Sequence, residues 1–588
     1  MSFRNVQTSD EPARDDGDRR PRFMGPGRAR MARRVPLVIA AIALAATLFY
    51  PGPVPDHDSV TKAVARVQPA PPPRPATVTV SAAAGALSVP RSFLGLSVEY
   101  WGLPHFAQYG AQFDRVLSLI HVPGEGPVIL RVGGDSADRT FWATDVRRAS
   151  RWAYDLTPSW WQALGTLVRR TGARVIVDLN LVTGSPYMAA QWARKAEAAL
   201  PRGSIIGFEV GNEPDIYSNR YWSKAVSSGT LRTDLVPLKL SSISYLDEFE
   251  AYASALSQVA PNVPLLGPAV ANPSRNLSWV ATLLGGPHAG LGVVSVHRYP
   301  YSGCVHKSSS GFPTIARVLS EKASAGVASA VAPAARLAFA AGLPLRLTEL
   351  NSITCGGKAG VSDTFATSLW APDTLFELMR AGAEGANIHV RADAVNAAFY
   401  VGEGGLRAQP LLYGLALFAR ALGPGAQLIH AYEHASASLH LKAWAVQLPG
   451  GLVHVLLIDK GPYAVRVDLS VPATGPATVQ RLLAPSVRSR WGETLAGQQI
   501  ASNGRWAGHR TTEVVARSRR GYEILVPRYS AALVSVRTQG AIAAPSQSAP
   551  HGRTVLVGVR GRRPAAHRAP TLGRRVVTGP RNRSRTRL

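Results

Sequence analysis

Cysteine is scarce in this chain: its 588 residues include two, Cys304 and Cys355. The sequence therefore has no Cys-x-x-Cys motif of the kind that binds structural metals. No Gly-x-Gly-x-x-Gly follows an early strand, which argues against a dinucleotide-binding fold. The sequence also lacks internal repeats, and 46% of its residues are hydrophobic against 17% charged. These features favour a globular protein of two or three domains, for which we predict neither a cofactor nor a metal.

Positive charge is abundant but unevenly placed, within a formal net charge of +28. Residues 551–588 hold 11 arginines and no acid, and residues 1–35 carry a net +4, which leaves +13 for the residues between them. Basic stretches of low complexity are typical of solvated tails, so no nucleic-acid partner is predicted. Two functional interpretations remain: the tail at 541–588 contacts an anionic surface, and the central +13 suits an acidic substrate.

The N-terminal region has the pattern of an export signal. A basic segment, residues 1–34, precedes the uncharged apolar run 35–50. That run is shorter than the roughly 20 residues of a membrane span and has the length of a signal-peptide core. It is either a cleaved signal peptide or an uncleaved anchor that attaches the protein to the membrane. Residues 51–75, rich in Pro and Ala, form a predicted linker. We expect an exported protein, secreted or held on the outer face of the cytoplasmic membrane.

Short apolar runs alternate with helical stretches between residues 93 and 420. Eight strand–helix units over this length predict an α/β fold, a (β/α)8 barrel. The runs are Gly95–Tyr100, Val128–Val132, Val175–Leu179, Ile205–Val210, Leu265–Ala269, Val293–His297, Leu345–Glu349 and Ala386–Val390.

A different pattern, with apolar and polar residues alternating at period two, fills residues 421–540. Val453–Ile458 and Ala464–Leu469 are examples. Turn residues separate such runs, which predicts a C-terminal β-sandwich. The segment 76–92 precedes the first barrel strand and is expected to add a strand to this sandwich.

Two glutamates stand out because each ends an apolar run. Glu213 lies in Phe208-Glu209-Val210-Gly211-Asn212-Glu213-Pro214, and Glu349 ends Leu345–Glu349. Strands four and seven of a closed barrel face each other across its mouth. Paired carboxylates there can cleave a glycosidic bond, one as acid/base and one as nucleophile. Glu209, in mid-strand, is expected to point into the barrel as a structural acid.

Other polar residues also fall at the predicted carboxyl ends of barrel strands, where such enzymes bind substrate. Asn212 is expected to bind the hydroxyl beside the anomeric carbon, and Tyr299 to donate a hydrogen bond to Glu349. Neither His297 nor His389 has a second ligand at metal spacing, so both are interpreted as hydrogen-bonding residues. The predicted substrate-binding set here is Glu99, Asp135, Ser136, Asn212, His297 and Tyr299; His389 lies on the eighth strand, and Arg131 follows the second without an assigned role.

The two cysteines follow the sixth and seventh predicted strands, which are neighbours in a barrel. In an exported chain such a pair favours a disulfide. We predict a Cys304–Cys355 bridge that joins two loops of the active site.

The motifs around both glutamates resemble glycoside hydrolase family 79, the β-glucuronidases and heparanases. The resemblance covers roughly residues 76–537 and rests on Phe208–Pro214, His297–Pro300, Thr348–Ser352, Cys355–Gly357 and Gly360–Phe365. It implies a retaining mechanism with Glu213 as acid/base and Glu349 as nucleophile. It also implies a carbohydrate substrate cut at a β-linked glucuronic acid, in an exo or an endo manner.

Members of that family bind the uronic carboxylate partly through a tyrosine after the eighth strand, and Tyr400 is the candidate here. The loop 391–405 departs from the family's glycine-rich pattern, so a 4-O-methylated or neutral sugar stays open. A retaining hydrolase of a neutral β-glycoside (galactoside or arabinoside) and a non-catalytic carbohydrate-binding surface protein are the alternatives to β-glucuronidase.

Overall fold

The computed structural model describes residues 71–81, 86–142, 154–218 and 240–538. The predicted segments 1–34, 35–50 and 541–588, and most of the linker 51–75, lie outside these residues. The described chain contains a closed barrel and a large sheet domain.

Eight parallel strands close the barrel in chain order, and the eighth pairs with the first. Each of the eight predicted apolar runs forms one of these strands. They are Leu94–Glu99, Ile129–Gly133, Arg174–Leu179, Ile205–Val210, Leu265–Val270, Leu291–Arg298, Leu345–Leu350 and Gly385–Val390, called the first to eighth barrel strands below.

Helices follow the strands and cover the barrel. Several begin at residues that satisfy the free N–H groups of a first turn. Thr157 accepts a hydrogen bond from Trp160 N, and Ser185 accepts one from Met188 N, each ahead of a proline at the first helical position. The helices are Leu103–Gln108, Gly110–Ile120, Pro158–Thr171, Pro186–Ala199, Ser242–Ser257, Leu277–Gly285, Ile315–Val318, Ala325–Ala340, Ala366–Arg380 and Pro410–Ala421.

The sheet domain is an eleven-stranded, mostly antiparallel sheet that curls around its own apolar core. Alternation along Val465–Ser470 places Val465, Val467 and Leu469 in that core, with exposed residues between them. The strands are Arg74–Ser81, Leu87–Ser88, Gln427–Ala435, Leu441–Leu448, Leu452–Asp459, Val465–Ser470, Ala473–Leu483, Thr494–Leu495, Glu513–Val515, Tyr522–Val526 and Ser530–Thr538.

The first described strand belongs to this domain although it precedes the barrel. Arg74–Ser81 pairs antiparallel with Gln427–Ala435 and parallel with Val465–Ser470. It therefore fills an interior position of the sheet. The predicted fold class, a (β/α)8 barrel with a C-terminal β-sandwich, is confirmed.

Eight further short strands lie in the described loops of the barrel and of the sheet domain, where they form four two-stranded pairs. These are Thr140–Trp142 with Tyr154–Leu156, Tyr301–Ser302 with Ile353–Thr354, Phe399–Tyr400 with Arg407–Ala408, and Gln499–Ile500 with Trp506–Ala507. The second pair joins the loops after the sixth and seventh barrel strands.

The outer face of the sheet packs on the helices Ala366–Arg380 and Pro410–Ala421. Trp444 stacks on Phe376 with ring centres 5.4 Å apart, and its indole N–H donates to Asp373 at 3.0 Å. Buried Lys460 donates to the same carboxylate at 2.7 Å and to Glu321 at 2.9 Å. Burial opposes ionisation of Asp373, but the ammonium groups of Lys460 and Lys442 outweigh it, so the pKa of Asp373 is lowered. A buried ion pair thus joins barrel and sheet.

We expect Lys460→Met to destabilise the protein by about 3–5 kcal/mol, because it leaves the buried Asp373 carboxylate without its cation. The double variant Asp373→Leu/Lys460→Met should recover part of this loss. Since the pKa of Asp373 is lowered on folding, its contribution is present above the unfolded pKa near 4 and is lost as the pH falls. Thermal and denaturant unfolding measure the effect.

The control is Arg466→Met, which breaks an exposed ion pair with Glu523 on the same domain. Exposed pairs are worth about 0–1 kcal/mol. Equal losses for Lys460→Met and Arg466→Met would show that the buried pair does not stabilise the junction.

Candidate active site

The carboxyl ends of the barrel strands carry a dense polar cluster around one buried arginine. Arg131, on the second strand, is fully buried and its guanidinium donates to five side chains. Its Nε lies 2.6 Å from Glu209, and its Nη2 2.8 Å from Asp178. The partners are Ser97, Asp178, Glu209, Asn212 and Glu349. All donor directions of the guanidinium are thereby engaged, and three carboxylates share one cation.

Glu209 occupies the position that the sequence predicts for it, inside the barrel. Its second oxygen accepts a hydrogen bond from Thr348 at 2.7 Å. Thr348 and Glu349 are consecutive, yet both side chains reach the interior. The pairing register between the sixth and seventh strands shifts beside them, from Val296–Leu347 to His297–Glu349. A bulge of this kind directs two successive side chains to one face of a strand.

Glu349 is surrounded by donors. Its Oε2 accepts from Arg131 Nη1 at 2.9 Å, and its Oε1 accepts from the Tyr299 hydroxyl at 2.6 Å. His389 Nδ1 lies 2.7 Å from the same oxygen. Burial opposes the charge, but the cations of His389 and Arg131 outweigh it and hold the pKa of Glu349 well below its usual value. This carboxyl group is ionised.

His389 is held as a cation between two carboxylates. Its Nε2 lies 3.4 Å from Glu99, opposite the contact of its Nδ1 with Glu349. Although burial disfavours its charge, these carboxylates raise the pKa of His389 to about 10. Glu99 is fixed in turn by the backbone N–H of Ser136 at 2.9 Å.

Glu213 has the opposite environment. Burial, together with the neighbouring carboxylates of Glu349 and Asp135, raises the pKa of Glu213 well above its usual value. Its backbone is left-handed, with φ +52°, a sparsely populated conformation for a residue other than glycine. Its N–H donates to Ala269 O at 3.1 Å, and Pro214 follows it. The turn therefore presents a protonated carboxyl group to the cleft.

A chain of hydrogen bonds explains how this proton is held. Thr348 has one hydroxyl proton, which it donates to the ion-paired Glu209. His297 Nε2, 3.2 Å from the Thr348 oxygen, must then be the donor of that contact. His297 is neutral, because burial and the charge of Arg131 lower its pKa to about 4. Its Nδ1 is therefore a free acceptor, and it lies 3.1 Å from Glu213 Oε1, where it accepts the carboxyl proton.

The two glutamates meet across the mouth of the barrel. One oxygen of each, together with a ring nitrogen of His297, lie within 4.8 Å of one another. The spacing resembles the roughly 5–5.5 Å between carboxyl groups of retaining glycosidases. A protonated and an ionised carboxyl group at this distance can supply an acid and a nucleophile to the same bond.

The same three side chains are close enough to ligate a metal ion, so their donor state matters. Both oxygens of Glu349 already accept from strong donors, Arg131 on one side and Tyr299 on the other. Glu213 is protonated, which removes a second anionic ligand. The donor set therefore fits acid–base chemistry better than metal binding.

Asp135 and Asn212 lie together at the cleft. Asn212 Nδ2 is 3.3 Å from Asp135 Oδ1, while its oxygen accepts from Arg131 at 3.0 Å. Enclosure by the protein and the charges of Glu99 and Glu349 raise the pKa of Asp135 to about 6. The Asp135 side chain remains exposed, so it can contact a bound molecule.

Ser136 and Tyr400 have different environments from the other predicted residues. Ser136 is fully buried; its hydroxyl donates to Gly133 O and accepts from Tyr100 N, so it holds the turn that carries Glu99. The Tyr400 hydroxyl donates to Ala394 O at 2.8 Å, and Arg407 lies 4.4 Å above its ring. Among the described residues, no hydrogen bond links Tyr400 to the cluster around Glu349.

Several functional residues escaped prediction. Arg131, Asp178 and Thr348 had no assigned role, and His389 was interpreted only as a hydrogen-bonding residue of the pocket. Each is a polar residue inside an otherwise apolar strand, and that interruption is the signal that could have identified them. Gly134 leaves room for the Glu99 carboxylate. Its φ is +81°, and a side chain at this position would collide with that carboxylate.

The predicted disulfide is confirmed: Cys304 and Cys355 are bonded. The bridge lies beside the paired strands Tyr301–Ser302 and Ile353–Thr354 and joins the loops that follow Tyr299 and Glu349. It therefore restrains two loops at the mouth of the barrel.

Solved structures of glycoside hydrolases share this fold. A 4-O-α-L-rhamnosyl-β-D-glucuronidase from Fusarium oxysporum 12S superposes with a TM-score of 0.63 at 18% identity, over 78% of this chain and 99% of that one. The family 51 α-L-arabinofuranosidase AbfB from Bifidobacterium longum gives 0.56 at 17% identity, over 79% and 100%. An α-L-arabinofuranosidase from Thermotoga maritima, in complex with arabinose, gives 0.56 at 14% identity, over 79% and 100%.

No protein-family model and no curated protein sequence matches the chain. At these identities the structural similarity establishes the fold alone, a (β/α)8 barrel with a sheet domain. It does not separate family 79 from family 51.

The site predicts opposite charge states for its two histidines. In histidine-selective ¹⁵N NMR spectra at pH 7, we expect His389 to be doubly protonated and His297 to be neutral with its proton on Nε2. The cause is that two carboxylates face His389, whereas His297 is buried beside Arg131. The variants His389→Gln and His297→Gln assign the signals, and the exposed His509 is an internal reference. A neutral His389 at pH 7 would contradict the proposed charge distribution.

Proposed function

We propose that the protein is a retaining glycoside hydrolase in which Glu213 is the acid/base and Glu349 the nucleophile. The observation that carries this proposal is the pair itself: two glutamates within 4.8 Å, whose surroundings drive their pKa values in opposite directions. Environments that separate the protonation states of two neighbouring carboxyl groups are how an enzyme assigns acid and nucleophile roles.

In the first step, the Glu349 carboxylate attacks the anomeric carbon and forms an ester bond. The bond from that carbon to the leaving oxygen breaks, and Glu213 gives its proton to that oxygen. In the second step, Glu213 takes a proton from water as the water oxygen attacks the anomeric carbon. The ester bond breaks and Glu349 leaves as a carboxylate, so that both glutamates return to their first state.

The cluster also explains how Glu213 changes role between the steps. The negative charge of Glu349 is one of the causes that raise the pKa of Glu213. Ester formation removes that charge, so the pKa of Glu213 falls and its carboxylate can act as a base. Tyr299 and Arg131 remain in place to receive the charge of Glu349 when the ester is hydrolysed.

For the substrate we propose a glycan with β-linked glucuronic acid. The motifs shared with family 79 and the net charge of +13 between the tails support an acidic sugar. Arg391, directly after the eighth strand, has a buried Nε without a hydrogen-bond partner among the described residues. Its Nη2 pairs with Asp393 at 3.3 Å, while the guanidinium lies over the Trp101 ring at 5.9 Å and interacts electrostatically with Glu99 and Asp135. A uronic carboxylate would satisfy this donor.

A neutral sugar is the second candidate, and Asp135 is the observation that favours it. Its exposed side chain adds a carboxylate to a cleft that already holds Glu99 and Glu349. An ionised Asp135 repels a uronate but accepts hydrogen bonds from sugar hydroxyls. The arabinofuranosidases of the same fold make an arabinoside the natural test of this alternative. We also propose export, because a disulfide such as Cys304–Cys355 persists in oxidising compartments.

The test is a panel of chromogenic glycosides: β-glucuronide, β-glucoside, β-galactoside and α-L-arabinofuranoside. Release from the glucuronide alone, with the β-anomer appearing first in the NMR spectrum of the products, is the expected result. Release from a neutral glycoside alone would retain the mechanism and replace the substrate. Inactivity on the panel and on uronate oligosaccharides would favour a non-catalytic carbohydrate-binding protein.

On the active substrate, Glu213→Gln should lower kcat by about 10²–10⁴-fold, the usual contribution of general acid–base catalysis. Glu349→Gln should lower it further, because no covalent step remains, while substrate still binds. Glu197→Gln, on the exposed face of the helix Pro186–Ala199, is the matched control and should keep wild-type activity. Appreciable turnover by Glu349→Gln would refute the nucleophile assignment.

The pH dependence of kcat/KM should be bell-shaped. Its acidic limb reports Glu349, whose pKa is lowered, and its alkaline limb reports Glu213, whose pKa is raised. Thr348→Val removes the acceptor of the His297 Nε2 proton, so the hydrogen bond to the neutral Glu213 weakens and the alkaline limb moves to lower pH. Thr354→Val, the same substitution in the adjoining loop, should leave the profile in place. An unmoved alkaline limb in Thr348→Val would mean that His297 does not hold the acid's proton.

A further inference from the structure

A loop of the sheet domain lies against the loop that follows the nucleophile strand. This loop, residues 484–493, connects the strands Ala473–Leu483 and Thr494–Leu495. Its Ser489 O accepts a hydrogen bond from Phe365 N at 2.8 Å, and its Val487 O accepts one from Ala366 N at 3.2 Å. Arg490 Nε lies 3.0 Å from Asp363. The sheet domain therefore extends to the segment that begins at Glu349.

Trp491, in this loop, is 77% exposed, the largest exposed fraction among the big apolar side chains that the structure describes. The loop around it is fixed by its own hydrogen bonds. Ser486 N donates to Ser489 Oγ at 2.9 Å, and Ser489 N donates to Ser486 O at 3.0 Å. An indole held out to solvent on an ordered turn is pre-organised, so a ligand that covers it loses little conformational entropy on binding.

The segment that contains this tryptophan is rich in positive charge. Residues 484–520 contain seven arginines and two glutamates. Glu493 is buried, and Glu513 is bound by Arg481 through contacts of 2.5 and 2.7 Å. Arg488 is exposed, and its guanidinium has no hydrogen bond or ion pair with any residue that the structure describes. The loop that carries Trp491 therefore offers an exposed cation to an anionic ligand.

A continuous strip of residues connects the loop to the catalytic pair. Asn351, two residues after Glu349, donates to Asn396 O at 3.0 Å. The same segment carries Tyr400, which interacts electrostatically with Asp363, the partner of Arg490. The loop 484–493 is thus joined, through Phe365 and Ala366, to the segment that follows the seventh strand and Glu349.

We propose that the loop 484–493 is a remote sugar-binding subsite that takes one anionic residue of a glycan chain. Trp491 stacks on the apolar face of a pyranose ring, and Arg488 pairs with the carboxylate or sulfate of that sugar. The inference rests on the proposed function, since the chain that reaches the loop is the one whose bond is cleaved. It makes the sheet domain a part of the substrate-binding surface.

Trp491→Ala and Arg488→Ala, in the full-length protein, test this subsite. Substrates are uronate oligosaccharides of two and of six or more sugars, with a sulfated and a neutral chain of equal length. We expect Trp491→Ala to lower the ratio of kcat/KM on long over short chains by about five- to tenfold, the range of aromatic contacts. Arg488→Ala should lower this ratio for anionic chains and spare the neutral chain. A larger loss on the sulfated chain would identify sulfate as the anion, and a larger loss on the uronate chain a carboxylate.

Tyr432→Ala is the matched control, because Tyr432 is 60% exposed on the sheet strand Gln427–Ala435 and should not alter the ratio. An unchanged ratio in Trp491→Ala, with wild-type turnover intact, would overturn the subsite and leave the proposed function standing.

Calorimetric binding of the same chains to Glu349→Gln, with and without Trp491→Ala, separates the two proposals further. Tight binding of long anionic chains that depends on Trp491, without hydrolysis by the wild type, would support the subsite and refute the hydrolase. Absence of both binding and hydrolysis would refute both.

Discussion

The whole site depends on one buried guanidinium. Arg131 is the only cation that contacts Asp178 and Glu209 among the described residues, and it also fixes Glu349. A buried carboxylate without a partner costs several kcal/mol or takes up a proton, so the charges inside this barrel are tolerable only as a group. The arginine therefore has two effects at once: it permits polar residues in the barrel interior, and it keeps Glu349 ionised where an anion is needed.

The two central glutamates show how neighbours determine the state of identical side chains. Glu349 accepts from Arg131 and Tyr299, and each of these donors favours the carboxylate. Glu213 faces the lone pair of neutral His297, which favours the acid. Burial and the carboxylates of Glu349 and Asp135 also raise the pKa of Glu213, and the contact of Thr348 with Glu209 adds to their effect by orienting the protons of His297. The direction in which the Thr348 hydroxyl donates therefore determines which nitrogen of His297 carries the proton. That choice in turn determines the hydrogen bond between His297 and Glu213.

Much of this architecture could be predicted from sequence because it is local. Apolar runs that end in polar residues identify the eight strands, and neighbouring strands imply that Cys304 and Cys355 meet. The role of Arg131 and the partners of His389 could not be predicted, because those partners come from strands far apart in the chain. The environment of Ser136 could not be predicted from the sequence either, because its hydroxyl forms hydrogen bonds with backbone groups that only the folded turn brings near it. Sequence patterns predict which residues lie at strand ends, whereas the hydrogen-bond partners of those residues depend on distances in the folded structure.

The interior position of Arg74–Ser81 in the sheet has a consequence for how the molecule is made. Its neighbours, Gln427–Ala435 and Val465–Ser470, are synthesised only after the whole barrel. Until then, this strand has two unpaired edges, and pairing across about 350 residues is slow compared with local contacts. In the folded protein the sheet joins the segment that precedes the barrel to the segments that follow it. A nascent chain must therefore keep Arg74–Ser81 free to pair, through slow folding or a chaperone, until the strands after the barrel have been synthesised.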